Sequence, residues 1–324
     1  MIYLISTPLV FLLDQLFFFA EYEGWLVIIL SCAIGTIISF FAVKLASYDR
    51  EEQWGMFGER IVGKWLHKAI LFLFVFYCTL LLTMTLTAYT DFFGSTYLPG
   101  TPNWVVTGGF LLCISLVARS GLQTMIFMAD GLFILIFGAL LLLLLLSPGT
   151  MKLEMSVALL THWDSSTIWK SVIYVTPWFA EMMLVLIMLP HFQMHHKTMK
   201  YVIITKVSAC LLILMELTRF TRLENIIDNL DPVMISLWSS SLFIKCILLL
   251  YVAAHLLAQA LKVSTHRPFT FLLASLVYVF VNESTRRPAE FAAFSGSASF
   301  AVFLLVVQLM PVIYIIVHKI RSRV

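Results

Sequence analysis

Long apolar runs separated by short polar stretches are the feature that most restricts how this chain can fold. Hydrophobic residues make up 61% of its 324 positions and charged residues 12%, against about 25% charged residues in soluble domains. A helix needs about 20 mainly apolar residues to cross a bilayer. Ten runs approach or exceed this length: Met1–Ala20, Trp25–Ala46, Trp65–Thr90, Asn103–Ala118, Thr124–Leu146, Ile168–Leu189, Tyr201–Leu217, Pro232–Leu261, Phe269–Asn282 and Ser295–Val317. We therefore predict an all-α integral membrane protein with about ten transmembrane helices (spans one to ten), in a single domain covering residues 1–324.

Basic residues are unevenly divided between the two ends of these spans. The loops after the even-numbered spans, with the C-terminal tail, hold about twice as many Lys and Arg residues as the opposite loops. Because basic loops lie in the cytoplasm, both termini are predicted to be cytoplasmic, which agrees with an even number of spans. The N-terminus has no basic segment followed by a small-residue cleavage site, so we expect no cleavable signal peptide.

Ten spans divide into two halves of five, residues 1–146 and residues 168–317. The halves then cross the membrane in opposite directions, as an inverted repeat requires. The first span of each half also contains a proline, Pro8 and Pro177. We predict a LeuT-like 5+5 inverted repeat, a class of fold in which interrupted helices build the ligand site near the bilayer midplane.

Span six carries the strongest functional signal. Thr176 and Pro177 lie near its middle, and Glu181 follows four residues after the proline. Proline removes a backbone donor and clashes with the preceding turn, so the span should break or kink there. The freed backbone and the helix terminus are predicted to bind the polar head of a small zwitterion, and Trp178 is predicted to pack on its side chain. The alternative is a tolerated kink in which Trp178 only packs.

Span eight places Trp238, Ser241 and Lys245 on one helical face. Lys245 is a cation within the membrane, and Glu181 is the first candidate for its partner. As a functional site, the pair is a gate or replaces a coupling cation. The alternative is that Lys245 extends to the cytoplasmic interface.

Span three carries three threonines four residues apart, and Thr83 is the central one. Their hydroxyls either line a polar cavity or bond to carbonyls of their own helix. Five other ionisable residues are predicted to be mostly interfacial: Asp14, Asp91, Asp130, Lys206 and Glu216. The polar segment Ser47–Lys64 is predicted to form a short amphipathic helix on the membrane surface, in contact with lipid.

Several functions are made improbable by the motifs. The five cysteines lie in apolar runs and are predicted to be buried thiols without disulfide or metal spacing. His191 and His195 are one turn apart, but they have no acidic or thiol partner nearby, so no metal site is expected. The chain has no phosphate-binding Gly-rich loop, nucleophile elbow or HExxH motif. We expect no enzyme activity, no cofactor and no nucleic-acid binding.

Several short segments, taken in order, resemble one known family. Leu98–Val105, which reads LPGTPNWV, is similar to the junction between helices three and four of spore germination proteins. Further segments that resemble this family are Glu23–Trp25, Gly63–Leu66, Ala118–Gln123, Ala180–Glu181, Leu189–Pro190 and Leu230–Lys245. The chain thus resembles the B subunits of GerA-type germinant receptors, a branch of the amino acid–polyamine–organocation superfamily.

The resemblance implies a bundle in the spore inner membrane that binds a small germinant, often an amino acid, and signals germination. It also implies two partners, a receptor A subunit and a C-subunit lipoprotein. The family has a Gly-containing stretch before the Pro8 position, so a shortened first helix is expected here. The alternative function is an amino-acid/cation secondary transporter with the same fold, and a truncated, inactive relative is a third interpretation.

Overall fold

The computed structural model describes residues 23–49, 52–146, 164–181, 187, 198–220 and 231–322. Within these residues every regular element is a helix. The helices are α1 Gly24–Ala46, α2 Trp54–Val62, α3 Lys64–Thr96, α4 Asn103–Ser120, α5 Leu122–Leu146, α6 Ser165–Ala180, α7 Thr198–Phe220, α8 Asp231–Ala260, α9 Arg267–Arg286, α10 Pro288–Ser295, α11 Ala298–Gln308 and α12 Met310–Arg321.

The helices coincide with spans two to ten, and the all-α membrane class is confirmed. Five stretches of the described residues are long and apolar enough to cross a bilayer: Gly24–Ala46, Lys64–Thr96, Asn103–Ser120, Trp238–Ala260 and Ala298–Arg321. Large apolar side chains on their outward faces, such as Ile37, Trp104 and Leu112, are more than half exposed, as lipid contact requires. Span one and the histidines near residue 195 lie outside the described residues, so ten crossings and the inverted repeat stay predictions.

Two helices, α3 and α8, form the centre of the bundle. They are the most enclosed of the five stretches, with 72% and 78% of their apolar windows buried, and they pack against each other. On one side of the bundle α1 packs against α6 and α7, and on another α4 packs against α9. The start of α1 is joined to the start of α6, because the Glu23 carboxylate accepts a hydrogen bond from the backbone N–H of Asp164.

Span ten is interrupted, which the sequence analysis did not predict. Helix α11 ends at Gln308, Leu309 lies between the helices, and α12 carries Pro311 in its first turn. A proline has no N–H to continue the hydrogen-bond ladder, and its ring crowds the preceding turn. Pro311 itself was the readable signal.

Helix α2 confirms the predicted short amphipathic helix but not its contact with lipid. Trp54 is fully buried, with its ring centroid 5.2 Å from that of Phe74 on α3 and 5.4 Å from that of Tyr314 on α12. Phe57 and Ile61 are buried as well. The apolar face of α2 therefore packs on the bundle, where it is covered by α3 and α12.

Candidate functional site

The end of α6 is the centre of the candidate site. The Asp164 carboxylate caps this helix at its start by accepting the backbone N–H of Ser166 at 3.0 Å. Pro177 lies inside α6, and the helix continues to Ala180 with Glu181 as its C-terminal cap. The helix therefore does not end at Thr176–Pro177 as a break there would require, because the lost N–H removes one ladder bond without ending the helix. The remainder of span six, apart from residue 187, lies outside the described residues.

Glu181 and Lys245 form a buried ion pair between α6 and α8. The Lys245 Nζ atom lies 2.8 Å from Oε2 and 3.1 Å from Oε1 of Glu181. Their side chains are 1% and 0% exposed, so the pair is shielded from both solvent and lipid. The predicted partner of Lys245 is confirmed, and the alternative in which Lys245 extends to the interface is wrong.

Trp178 faces this ion pair. The Lys245 Nζ atom lies 5.5 Å from the centroid of the Trp178 ring, within the range of a cation–π interaction. Trp178 precedes Glu181 by three residues, so both side chains leave the same face of α6. Trp178 therefore lies beside the ion pair, and its packing on the side chain of a ligand stays a prediction.

Gln308 is a third polar contact of the α6 end and was missed by the sequence analysis. Its Nε2 group donates to the carbonyl oxygen of Pro177 at 2.8 Å and to the Tyr77 hydroxyl at 2.7 Å. Gln308 is completely buried and ends α11 just before the interruption at Leu309. A single glutamine two residues before Met310-Pro311 was the available signal.

Several buried polar atoms of this region have no hydrogen-bond partner. Among the described residues they include Thr176 Oγ1, Gln308 Oε1 and Trp238 Nε1. An unsatisfied buried polar group costs about 1–3 kcal/mol, so such groups commonly mark the position of a water molecule or a ligand. The α6 end thus combines paired charges with unused hydrogen-bonding capacity.

The remaining predicted residues make contacts of a more structural kind. The Ser241 hydroxyl donates to the Trp238 carbonyl at 2.7 Å, and the Thr83 hydroxyl to the Thr79 carbonyl at 2.9 Å. Both hydroxyls are thus bonded within their own helices, which is the structural alternative for span three. The Trp238 ring packs edge-on against Phe92 with centroids 4.9 Å apart.

Lys206 on α7 corrects another prediction. It was expected near the interface, yet it is fully buried. Its Nζ group donates to the backbone carbonyl of Gly35 and, at 2.6 Å, to the Ser39 hydroxyl. Both acceptors are on α1, which packs against α7 and draws the lysine into the bundle.

The described residues do not assemble a metal site. They contain no group of three His, Cys, Asp or Glu side chains that could hold an ion, and the cysteines are free thiols. Four cysteines are buried as predicted, whereas Cys113 is exposed on the outward side of α4. That prediction failed for Cys113 because an apolar run has a lipid-facing side as well as a buried one.

The architecture defines a helical membrane protein with an ion pair enclosed at the end of a proline-containing helix. The chain matches the family described as spore germination protein over residues 1–218, two-thirds of its length. It belongs to this family, and the resemblance found in the sequence is confirmed. No curated protein matches the chain. The protein is therefore a germination-related membrane subunit, and Glu181 lies inside the matched region while Lys245 and Gln308 lie beyond it.

Proposed function

We propose that this protein is the ligand-binding membrane subunit of a germinant receptor, located in the spore inner membrane, and that it binds a zwitterionic germinant such as an amino acid. Glu181 and Lys245 would hold the two charges of the ligand. Family membership supports the role in germination. The single observation that carries the ligand class is the closed ion pair beside Trp178.

The ion pair favours a zwitterionic ligand, because a zwitterion carries one positive and one negative charge, as the Lys245–Glu181 pair does. Both Glu181 oxygens face the Lys245 ammonium, so each residue contacts a group of opposite charge. An amino acid can enter between the two residues, with its ammonium group on Glu181 and its carboxylate on Lys245. One ion pair is then replaced by two, and no buried charge loses its partner.

The same argument predicts selectivity. An amine without a carboxylate would offer Lys245 no replacement for the Glu181 carboxylate, and an acid without an ammonium group would offer Glu181 no replacement for the Lys245 ammonium. Leaving a buried charge without its partner costs about 3–5 kcal/mol. Since each 1.4 kcal/mol is a factor of ten, a zwitterion should bind about 100-fold or more tightly than the matching amine or acid. Trp178 would cover the ligand's apolar side chain.

Signalling would follow from what the α6 end contacts. Glu181 is bonded to α8, and the Pro177 carbonyl is linked through Gln308 to α11 and α3. Opening the ion pair would free α8 from α6 and change this junction. The receptor A subunit and the C-subunit lipoprotein would then detect the change, with the bundle acting as a sensor and without any catalytic step.

A secondary amino-acid/cation transporter is the second candidate function. The observation that favours it is the Ser239 hydroxyl on α8, which is buried and has no partner among the described residues. Such an oxygen suits a hard coupling cation. Uptake of a labelled amino acid into proteoliposomes, driven by an H⁺ or Na⁺ gradient, would favour transport over sensing.

The test is ligand-induced stabilisation of the purified protein in lipid nanodiscs. The twenty common amino acids are screened for a rise in melting temperature, and the best ligand is compared with the amine and the acid that each lack one of its charges. We expect a shift with the amino acid only. A ligand at about 100 times its Kd adds about 2.7 kcal/mol.

A double variant separates binding from folding. Glu181→Met with Lys245→Met removes both charges, and such a replacement is often neutral for stability, so the variant should fold but lose the ligand shift. Lys206→Met is the matched control, because it removes a second lysine that is fully buried among the described residues and should keep the shift. An unaltered shift in the double variant, or no shift with any amino acid in the wild type, would exclude the proposed function.

A further inference from the structure

Gln308 is held in a single orientation by its two hydrogen bonds. The Pro177 carbonyl can only accept, so the Gln308 amide must present its Nε2 group to it. The second Nε2 proton is used by the Tyr77 hydroxyl. The Oε1 atom is thereby directed away from both partners, and it is buried without a partner among the described residues.

The position of Gln308 brings this free acceptor to the α6 end. Glu181 follows Pro177 by four residues, which is slightly more than one helical turn, or about 6 Å along the axis. Thr176, the neighbour of Pro177, has a buried hydroxyl oxygen that likewise lacks a hydrogen-bond partner.

We propose that Gln308 is a specificity-determining residue whose Oε1 atom accepts a hydrogen bond from the ligand's ammonium group. The inference rests on the proposed function and adds to it the substrate class, a zwitterion with a primary ammonium. A primary ammonium has three N–H donors, of which one is assigned to Glu181 and a second to Gln308 Oε1. The ion pair selects the ligand by its two charges, whereas Gln308 selects it by the number of N–H donors on its ammonium group.

N-methylated ligands separate these two properties. An N,N-dimethyl amino acid keeps both charges but has one N–H donor, which Glu181 would take. A hydrogen bond to a charged group contributes about 1.5–3 kcal/mol, so loss of the Gln308 contact should weaken binding about 10- to 100-fold. The wild type is therefore expected to prefer the primary amino acid over its dimethyl form by at least tenfold.

The experiment combines the ligand pair with a variant pair. Gln308→Met removes the amide at nearly the same size, and Gln259→Met is the matched control on α8, where Gln259 is bonded to Gln53 and not to the α6 end. Kd is measured for the primary and the dimethyl amino acid with all three proteins in nanodiscs. We expect Gln308→Met to weaken binding of the primary form about tenfold or more and to leave the dimethyl form within about twofold.

Each outcome decides the inference. An equal loss for both ligands would mean that Gln308 acts only by holding the Pro177 carbonyl, and no loss would mean that Oε1 serves a water molecule; both overturn it. If Gln308→Met does not fold, the wild-type preference decides, and a preference below about twofold overturns the inference. Because the proposed function requires only that wild type binds a zwitterion, it can stand when this inference falls.

Discussion

Two lysines of the bundle are equally buried but are held in opposite ways. Lys245 on α8 meets the carboxylate of Glu181 at 2.8 Å, whereas Lys206 on α7 meets a backbone carbonyl and a hydroxyl, those of Gly35 and Ser39. The first contact joins two full charges that a ligand can exchange. The second joins an amine to neutral dipoles on α1, which offer no charge for a ligand to replace.

The difference teaches that burial alone does not identify a ligand site in a membrane bundle. A lysine that bonds to neutral groups of another helix, as Lys206 does, holds two helices together. A lysine in an ion pair with a carboxylate, as Lys245 is, provides together with its partner the two opposite charges that a zwitterion needs. The two contacts meet at α6, because Gly35 lies against Phe179 and Ala180, directly before Glu181. Helix α1 therefore packs directly against the end of α6 that carries Glu181.

The largest expected effect on stability comes from removing the charged contact of Lys245. Lys245→Met removes the cation that Glu181 contacts at 2.8 Å, and losing one member of a buried ion pair should lower the free energy of unfolding by about 3–5 kcal/mol. Lys206→Met loses hydrogen bonds to neutral acceptors, and the Ser39 hydroxyl still donates to Gly35 at 3.0 Å, so a loss of about 1–3 kcal/mol is expected. Thermal unfolding in nanodiscs compares the variants, and a larger loss for Lys206→Met would contradict the assignment of roles.

A smaller effect tests the support that α1 gives to α6. A Cβ atom on Gly35 would lie 2.7 Å from the Phe179 Cβ and 2.9 Å from the Phe179 carbonyl carbon, so Gly35→Ala should cost about 1–3 kcal/mol through overpacking. Gly109→Ala is the matched control, since a Cβ there has nothing within 4 Å, and it should stabilise α4 by up to about 1 kcal/mol. The melting temperatures should move in opposite directions; equal shifts would argue against close packing at Gly35.

Thr83→Val tests a predicted site residue that the structure connects only to its own helix. Its hydroxyl donates to Thr79, and such a bond adds little to helix stability, so the variant should remain within about 1 kcal/mol of the wild type. The Kd for the amino acid should also stay the same. A tenfold weaker Kd would place Thr83 in the ligand site after all.

The smallest expected effect is pH dependence at a position remote from both lysines. His266 lies between α8 and α9, and burial lowers its pKa below 6.5, while Arg267 adds a smaller lowering effect and a hydrogen bond to the Ala118 carbonyl raises it. A depressed folded-state pKa means that the unfolded chain takes up the proton first, so stability is lost as the pH falls below about 6.5. His266→Gln keeps a donor without titrating and should show a smaller drop in melting temperature between about pH 7.5 and about pH 5.5. Identical slopes would exclude His266 as a source.

The sequence was sufficient to predict the features that depend on paired charges and on the length of apolar runs. Glu181 and Lys245 could be paired because opposite charges inside a membrane require each other, and the spans could be located because apolar length is imposed by the bilayer. Lys206 and Gln308 could not be placed, because each bonds to one backbone carbonyl and one hydroxyl on other helices, and no residue pattern marks which carbonyl a side chain will reach. The segment Ser47–Lys64 was predicted to contact lipid because an amphipathic face does not reveal whether protein or lipid covers it.

The most direct test of the central claim is an experimental structure of the protein with its amino acid bound. The measured quantity is the distance between Lys245 Nζ and the Glu181 oxygens, which is 2.8 Å for the nearer oxygen in the closed ion pair. We predict that this distance exceeds about 4 Å, the limit of an ion pair, with the ligand carboxylate on Lys245 and its ammonium group on Glu181. A ligand bound elsewhere while the pair stays closed would contradict the account.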